Sequence, residues 1–464
     1  LTFNWYYGII SIYQFTESEF IMNIVLSLDI GTSKIAAVAF ACGEQKNIAV
    51  LSAENSTTVS GLPAGRHEQE PEKIFNICAD LLRQLATCGK FSPENVRSIA
   101  ISGQMHGVLL ADPSLRPLTN LITWCDHLTI ELVAALDRSN WPVQRTGCYL
   151  HAGYGGATLA EMAKKHEIPA NAKALTIADY VVAKLCGTIA TDATHAASWG
   201  IMDVAGQCWD KELLDRFAIP QSVLPEIKPA MTELGKLSID LGLPAETTVC
   251  LPIGDNQASF IGSCGFANNS VLLNLGTGGQ VSLPVNQFAF MPELETRPLP
   301  FGGYLLVGAS LCGGRAYAIL KDFFRQTVFQ FTGKELSDSE LYKTMDRLAE
   351  TTRVELDTDR RFGGTRLKPE LRGAIAGIDH DNFTPEALCR GMMRGMVREL
   401  AAMVPQELRC HLSRVLASGN AVRKSPLAQQ MITEELGMPC ELSDNSEEAA
   451  TGAAMTAAKA MNLL

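Results

Sequence analysis

The sequence predicts an α/β protein made of two related domains. Two observations carry this reading. Short apolar runs of strand character alternate with longer stretches of helical spacing, the layering pattern of α/β folds. An apolar hairpin pattern near the start of the chain also returns about half a chain later, as a duplicated domain would require.

The first hairpin reads Ile24-Val25-Leu26-Ser27-Leu28-Asp29, a Gly-Thr-Ser turn, then Ile35-Ala36-Ala37-Val38-Ala39-Phe40. The second runs from Val271 to Leu283 around Gly276-Thr277-Gly278, so that Asp29 aligns with Asn274, Gly31 with Gly276 and Thr32 with Thr277. Between them, Glu72 to Ala86 and Ile130 to Leu136 have helical spacing, and Ser98 to Ser102 reads as a short buried strand. Downstream, Pro385 to Met403 predicts a long helix. Val415 to Ala417 is a strand ending at Ser418-Gly419-Asn420, followed by a helix from Leu427 to Leu436. Glu447 to Ala460 is dominated by Ala and Gly, which lets a helix pack closely on its neighbours. The predicted divisions are residues 1–21 as a disordered or upstream extension, 22–247 as the first domain and 248–464 as the second.

Composition narrows the function classes. The chain has 464 residues with a net charge of −11, from 39 basic and 50 acidic side chains, which is no footprint for a nucleic-acid partner. Thirteen scattered cysteines without a C-x-x-C pair predict reduced thiols in the cytoplasm rather than a disulfide framework or a zinc ribbon. No Lys or Arg precedes Lys34, so a secretory leader is not expected, and no apolar run is long enough to predict a membrane span.

The chemistry-bearing motifs are small-residue turns with carboxylates beside them. A phosphate chain needs backbone N–H donors at close range with little side-chain bulk, and Gly-Thr turns between strands supply them. One such turn is only a turn; two in related domains can grip one triphosphate from both sides. The chain has neither G-x-x-x-x-G-K-[ST] nor a strand-linked G-x-G-x-x-G, so the expected phosphate site is of the actin-like type. Asp255 follows a glycine at the end of an apolar strand, where a carboxylate either caps a helix or faces a cleft.

Six ordered motifs resemble those of the FGGY carbohydrate kinases: Asp29-Ile30-Gly31-Thr32-Ser33, Ser102 to Gly107, Trp124-Cys125-Asp126, Gly254 to Ala258, Leu275 to Gly279, and Ser418-Gly419-Asn420. The resemblance implies a pair of ribonuclease-H-like, actin-like ATPase domains flanking a central cleft, with ATP mainly on the second domain, a small-molecule sugar mainly on the first, and Mg2+ as the metal cofactor. It implies that Asp255 is the catalytic base and that Asp29 and Asp255 attend the metal. Gly31, Thr32, Ser33, Gly276, Thr277 and Gly278 fall on phosphate loops, and Gly419 and Asn420 on the adenosine contact. Gln104, Met105, His106, Asp126 and Asn256 fall on sugar-contacting segments, with Asp126 the next candidate base and Trp124 a packing residue. Many members carry a basic residue where this chain has Ala36.

Within the family, the stretches Gly153 to Leu159, Asp179 to Gly187, Ala196 to Gly200 and Ala387 to Gly391 resemble sedoheptulokinases more than xylulokinases or glycerol kinases. Sedoheptulose is therefore the expected acceptor, with xylulose the first alternative. A sugar-binding regulator that performs no chemistry is the alternative of a different class.

Overall fold

The computed structural model describes residues 22–276, 278–365, 368, 370–443, 445 and 447–464. The expectations for residues 1–21 and for Thr277 lie outside the described residues. The predicted elements appear within a residue or two of their expected ends: helices Pro71–Ala86, Ile130–Ala134, Pro385–Ala402, Pro426–Leu436 and Glu448–Ala460, and strands Val96–Gly103 and Arg414–Ser418.

Both hairpins form, and each seeds a sheet. Ile24–Ile30 pairs antiparallel with Lys34–Ala41 and parallel with Val96–Gly103. In the second sheet, Ser270–Leu275 pairs antiparallel with Gly279–Val285 and parallel with Arg414–Ser418. The registers show that the repeat extends past the hairpins: Asp29 lies opposite Ser102, and Asn274 lies opposite Ser418. Ser102-Gly103 and Ser418-Gly419 are therefore equivalent turns at equivalent strand ends. Each sheet continues on the far side of its hairpin with a further antiparallel strand, Lys46–Glu54 in one and Tyr304–Ser310 in the other.

The first hairpin is apolar throughout because both of its faces are covered. Side chains alternate across a strand. Ile24, Leu26, Leu28 and Ile30 pack with Ile74 and Leu82 of Pro71–Ala86 and with Tyr180 and Val181 of Ile177–Cys186. Val25 packs on the opposite face with Ala258, Ile261, Ala453 and Ala457. Asp29 shares that second face by parity, which brings its carboxylate out beside the helix that begins at Asp255.

That second face is closed by two helices that join the domains. Asp255–Cys264 leaves the first sheet, and Glu448–Ala460 returns from the second domain to lie on the first. They cross backbone to backbone: a Cβ at Gly452 would sit 1.8 Å from the Ala258 carbonyl oxygen, and one at Gly262 would sit 1.9 Å from that of Glu448. Neither obstacle is a side chain that can turn away. Gly452→Val is expected to force the helices apart and to lower stability by more than the ~1–3 kcal/mol of ordinary overpacking. Chemical denaturation measures this, and an unchanged midpoint would disprove the close crossing.

The change of sheet falls later than the 247/248 division expected from the sequence. Thr248–Cys250 and Ile253–Gly254 both pair with Val96–Gly103, and the second sheet begins at Ser270. The apolar run before Asp255 pairs inside the first sheet, where Thr248–Cys250 lies between Glu233–Lys236 and Val96–Gly103, so it belongs there in space.

Candidate active site

Asp29 and Asp255 meet at the carboxyl ends of first-sheet strands. Ser102 donates its hydroxyl hydrogen bond to Asp29 Oδ1 at 2.8 Å across the parallel register. Burial first, and then the negative charge of Asp255, push the Asp29 carboxyl up to about 7 against the Ser102 hydrogen bond. Asp255 is also raised, by burial, while the charges of Arg297 and His195 and the backbone N–H of Asn256 pull the other way. Two carboxylates are thus held together where a cation would relieve both.

The sign of the linkage follows from the direction. Asp29 titrates higher when folded, so the stability it contributes is full below its ordinary value near 3.8 and is lost as pH rises through about 7. Asp29→Asn mimics the neutral form. It is expected to raise the melting temperature of the ligand-free protein at about pH 8 and to leave it nearly unchanged at about pH 3, as scanning calorimetry would read. An equal shift at both values would remove Asp29 titration as the cause.

The segment expected to contact sugar is held as a hydrogen-bonded turn. His106 adopts φ 74, and its N–H donates to Ser198 Oγ at 3.0 Å. Its Nδ1 lies 2.7 Å from the Ser198 carbonyl oxygen; a carbonyl only accepts, so Nδ1 carries the proton. The imidazole stacks on Tyr154 with ring centroids 4.1 Å apart. Gln104 is buried and donates to Gln69 Oε1 at 2.9 Å, while its own Oε1 accepts from the Thr32 hydroxyl. Met105 is buried, with its sulfur 3.8 Å from Arg297 Nη1. Asn256 is buried and reaches across to Ser282 of the second sheet, its Oδ1 without a hydrogen-bond partner.

Three expectations change. Asp126, expected to touch sugar, has both carboxylate oxygens engaged by Arg66, with the backbone N–H groups of His67 and Leu128 completing the cage. It anchors Arg66, because a carboxylate 1% exposed needs all of these donors. Trp124, expected to pack, is 47% exposed and donates its indole N–H to Thr32 Oγ1 at 3.0 Å. The Thr32 hydroxyl, expected on phosphate, is therefore engaged with Trp124 and with Gln104, itself expected on sugar. In the same turn, Gly31 N–H donates to the Lys34 carbonyl, and Ser33 is exposed. Lys34 pairs with Glu447 at 2.8 Å.

On the second domain, a cavity of about 1030 Å³ opens between the two glycine turns. Gly276, Gly314 and Gly419 line its neck, and Tyr317, Met393 and Met396 supply apolar wall. Gly314 N–H donates to the Gly276 carbonyl at 2.9 Å and opens the helix Gly313–Thr332, whose free N–H groups and dipole favour an anion. Gly278 is exposed beside it, and Asn420 starts the short helix Asn420–Arg423 after Gly419. Among the described residues, no helix is long and apolar enough to cross a membrane.

Residues 24–262 match the N-terminal domain of the FGGY family of carbohydrate kinases, and residues 272–461 match its C-terminal domain. The chain belongs to the FGGY carbohydrate kinase family. It is therefore a phosphotransferase of a family that acts on sugars and uses ATP. Among FGGY relatives, sedoheptulokinases of Mus musculus and Homo sapiens are each 28% identical over 93% of this chain and 96% of their own. A glycerol kinase of Bacillus anthracis is 26% identical over 94% of this chain and 90% of its own. The fold matches a xylulose kinase from Rhodospirillum rubrum with TM-score 0.85 at 23% identity, covering 95% of this chain and 90% of that one. It also matches a Plasmodium falciparum glycerol kinase solved with ADP, with TM-score 0.82 at 20% identity, covering 96% and 90%.

Sequence reasoning missed the polar wall that joins the two FGGY domains. Tyr154 donates to Glu295 Oε1 at 2.6 Å, and Glu295 holds Arg297 at 2.6 Å. Arg297 is buried on a second-sheet edge strand, yet its charge acts on Asp255. Nothing in the spacing around Arg297 announces this. Tyr154 did fall in a stretch that resembled one branch of the family.

Proposed function

We propose that this chain transfers the γ-phosphoryl group of ATP to a ketose, with sedoheptulose as acceptor and sedoheptulose 7-phosphate as product. The observation that carries the kinase chemistry is the placement of Asp255. It stands at a first-sheet strand end beside Asp29, where Gly254 borders Met105, with the glycine-lined cavity of the second domain as the nucleotide site. In this reading the sugar lies against Gln104, His106 and Trp124, and Asp255 takes the proton from the attacking hydroxyl. The new oxygen–phosphorus bond forms as the β–γ bridging oxygen leaves with ADP. The backbone N–H groups of the Gly31, Gly276 and Gly314 turns that are not already engaged, as those of Gly31 and Gly314 themselves are, stabilise charge on the phosphates.

The carboxylates of Asp29 and Asp255 fit a magnesium ion that draws its remaining ligands from water and phosphate. When bound, it would neutralise phosphate charge. The sugar assignment is supported by the two sedoheptulokinase relatives, which match over 93% of this chain, and by the stretches quoted above.

A sugar panel with Mg-ATP tests the proposal. Sedoheptulose is expected to have a higher kcat/KM than xylulose or glycerol, read by coupled ADP release. A reversed ranking overturns the substrate and keeps the kinase; sugar binding without turnover overturns the kinase in favour of a regulator.

A further inference from the structure

The segment from Asp192 to Trp199 has no part in the reaction just described, yet it touches both sides of the site. Asp192 is fully buried and caps the helix Ala193–Ser198, accepting from the N–H groups of Thr194 and His195 and from His195 Nδ1. One residue into the helix, Thr194 Oγ1 accepts from Gly254 N–H at 2.7 Å, in a buried contact. Gly254 is the residue before Asp255 and caps the Asp255–Cys264 helix. At the other end, Ser198 holds His106 twice, through its hydroxyl and its carbonyl. Ser198 in turn donates to the His195 carbonyl at 2.6 Å, and Trp199 Nε1 donates to the Gly107 carbonyl at 3.3 Å.

We propose that this short helix is a jig that fixes the candidate base against the sugar wall, with Thr194 positioning Asp255 and Ser198 positioning His106. It rests on the functional reading above. The argument is one of covalent distance: Thr194 and Ser198 are one helical turn apart, so the separation between the base and the imidazole is set by a single rigid turn. His106 needs such a hold because its φ 74 lies in a region few side chains occupy. The Gly254 N–H needs it because a buried donor left without an acceptor is costly.

The two ends make opposite kinetic predictions, which a role in stability alone does not. Thr194→Val keeps the shape and deletes the acceptor; kcat is expected to fall about 10- to 100-fold with the sugar KM within about twofold. Thr194→Ser restores the acceptor and is expected to recover most of kcat. Ser198→Ala frees the His106 backbone and is expected to raise the sugar KM at least about fivefold with a smaller effect on kcat. If Thr194→Val does not fold, Thr194→Ala, which leaves room for a water, is read in its place. Wild-type kcat in the acceptor-less variant, or equal changes of kcat and KM at both ends, overturns the jig and leaves the kinase reading standing. A wild-type protein that turns over no sugar overturns both.

Discussion

Asp255→Asn is expected to lower kcat by about 10²–10⁴-fold while the KM values for sugar and ATP stay close to wild type. Asparagine keeps the size of the side chain and can still accept a hydrogen bond from the attacking hydroxyl. It cannot take the proton. The surroundings of Asp255 make this loss hard to replace: the Gly254 backbone is pinned by Thr194, and the charges of Arg297 and His195 offset the burial that raises the carboxyl. Some of the effect is orientational, since a loose phosphoryl-transfer transition state asks for little bond-making by the nucleophile. Steady-state kinetics with calorimetric affinities provide the measurement. Wild-type kcat in this variant would return Asp255 to a helix-capping role and move the search to Asp29, because the carboxylate of Asp126 is already committed to Arg66.

Gly419→Ala should separate the two substrates. Gly419 has φ +93, and an added Cβ would lie 2.5 Å from the Leu275 carbonyl oxygen and 2.7 Å from its carbon. Both the conformation and the backbone contact oppose any side chain, a combined strain of about 1–3 kcal/mol or more. The turn that must move lines the neck of the second-domain cavity beside Gly276. The KM for ATP is expected to rise at least about tenfold, matching a loss of about 1.4 kcal/mol, while sugar affinity measured without nucleotide is unchanged. A rise in both would mean that the turn supports the whole molecule rather than one substrate.

Much of this was legible in the sequence, for identifiable reasons. The hairpins were readable because strands covered on both faces become unbroken apolar runs, and Gly-Thr turns interrupt them at matching places. Asp29 and Asp255 stand out as candidates in the sequence because each stands at the polar end of such a run. Asp126 was misplaced because spacing says nothing about which partner satisfies a buried carboxylate; Arg66 lies sixty residues earlier in the chain. Trp124 was misjudged because an indole packs or walls a cleft with equal ease. Arg297, Glu295 and Thr194 were invisible because each acts through a contact between elements far apart in sequence. The change of sheet after 247/248 was not legible because Thr248–Cys250 finds its neighbour in a strand some 150 residues upstream.

The returning helix Glu448–Ala460 also dictates when the protein can be finished. During synthesis the first sheet emerges ahead of the second, with the face around Val25, Phe40 and Ala100 awaiting alanines that are translated only after the second sheet. At about 5–20 residues per second, the intervening second domain delays their arrival by roughly 10–40 s. Throughout that interval the nascent first domain carries an apolar face covered only by Asp255–Cys264. Translation of Glu448–Ala460 is therefore the step that seals a core begun in the first sheet.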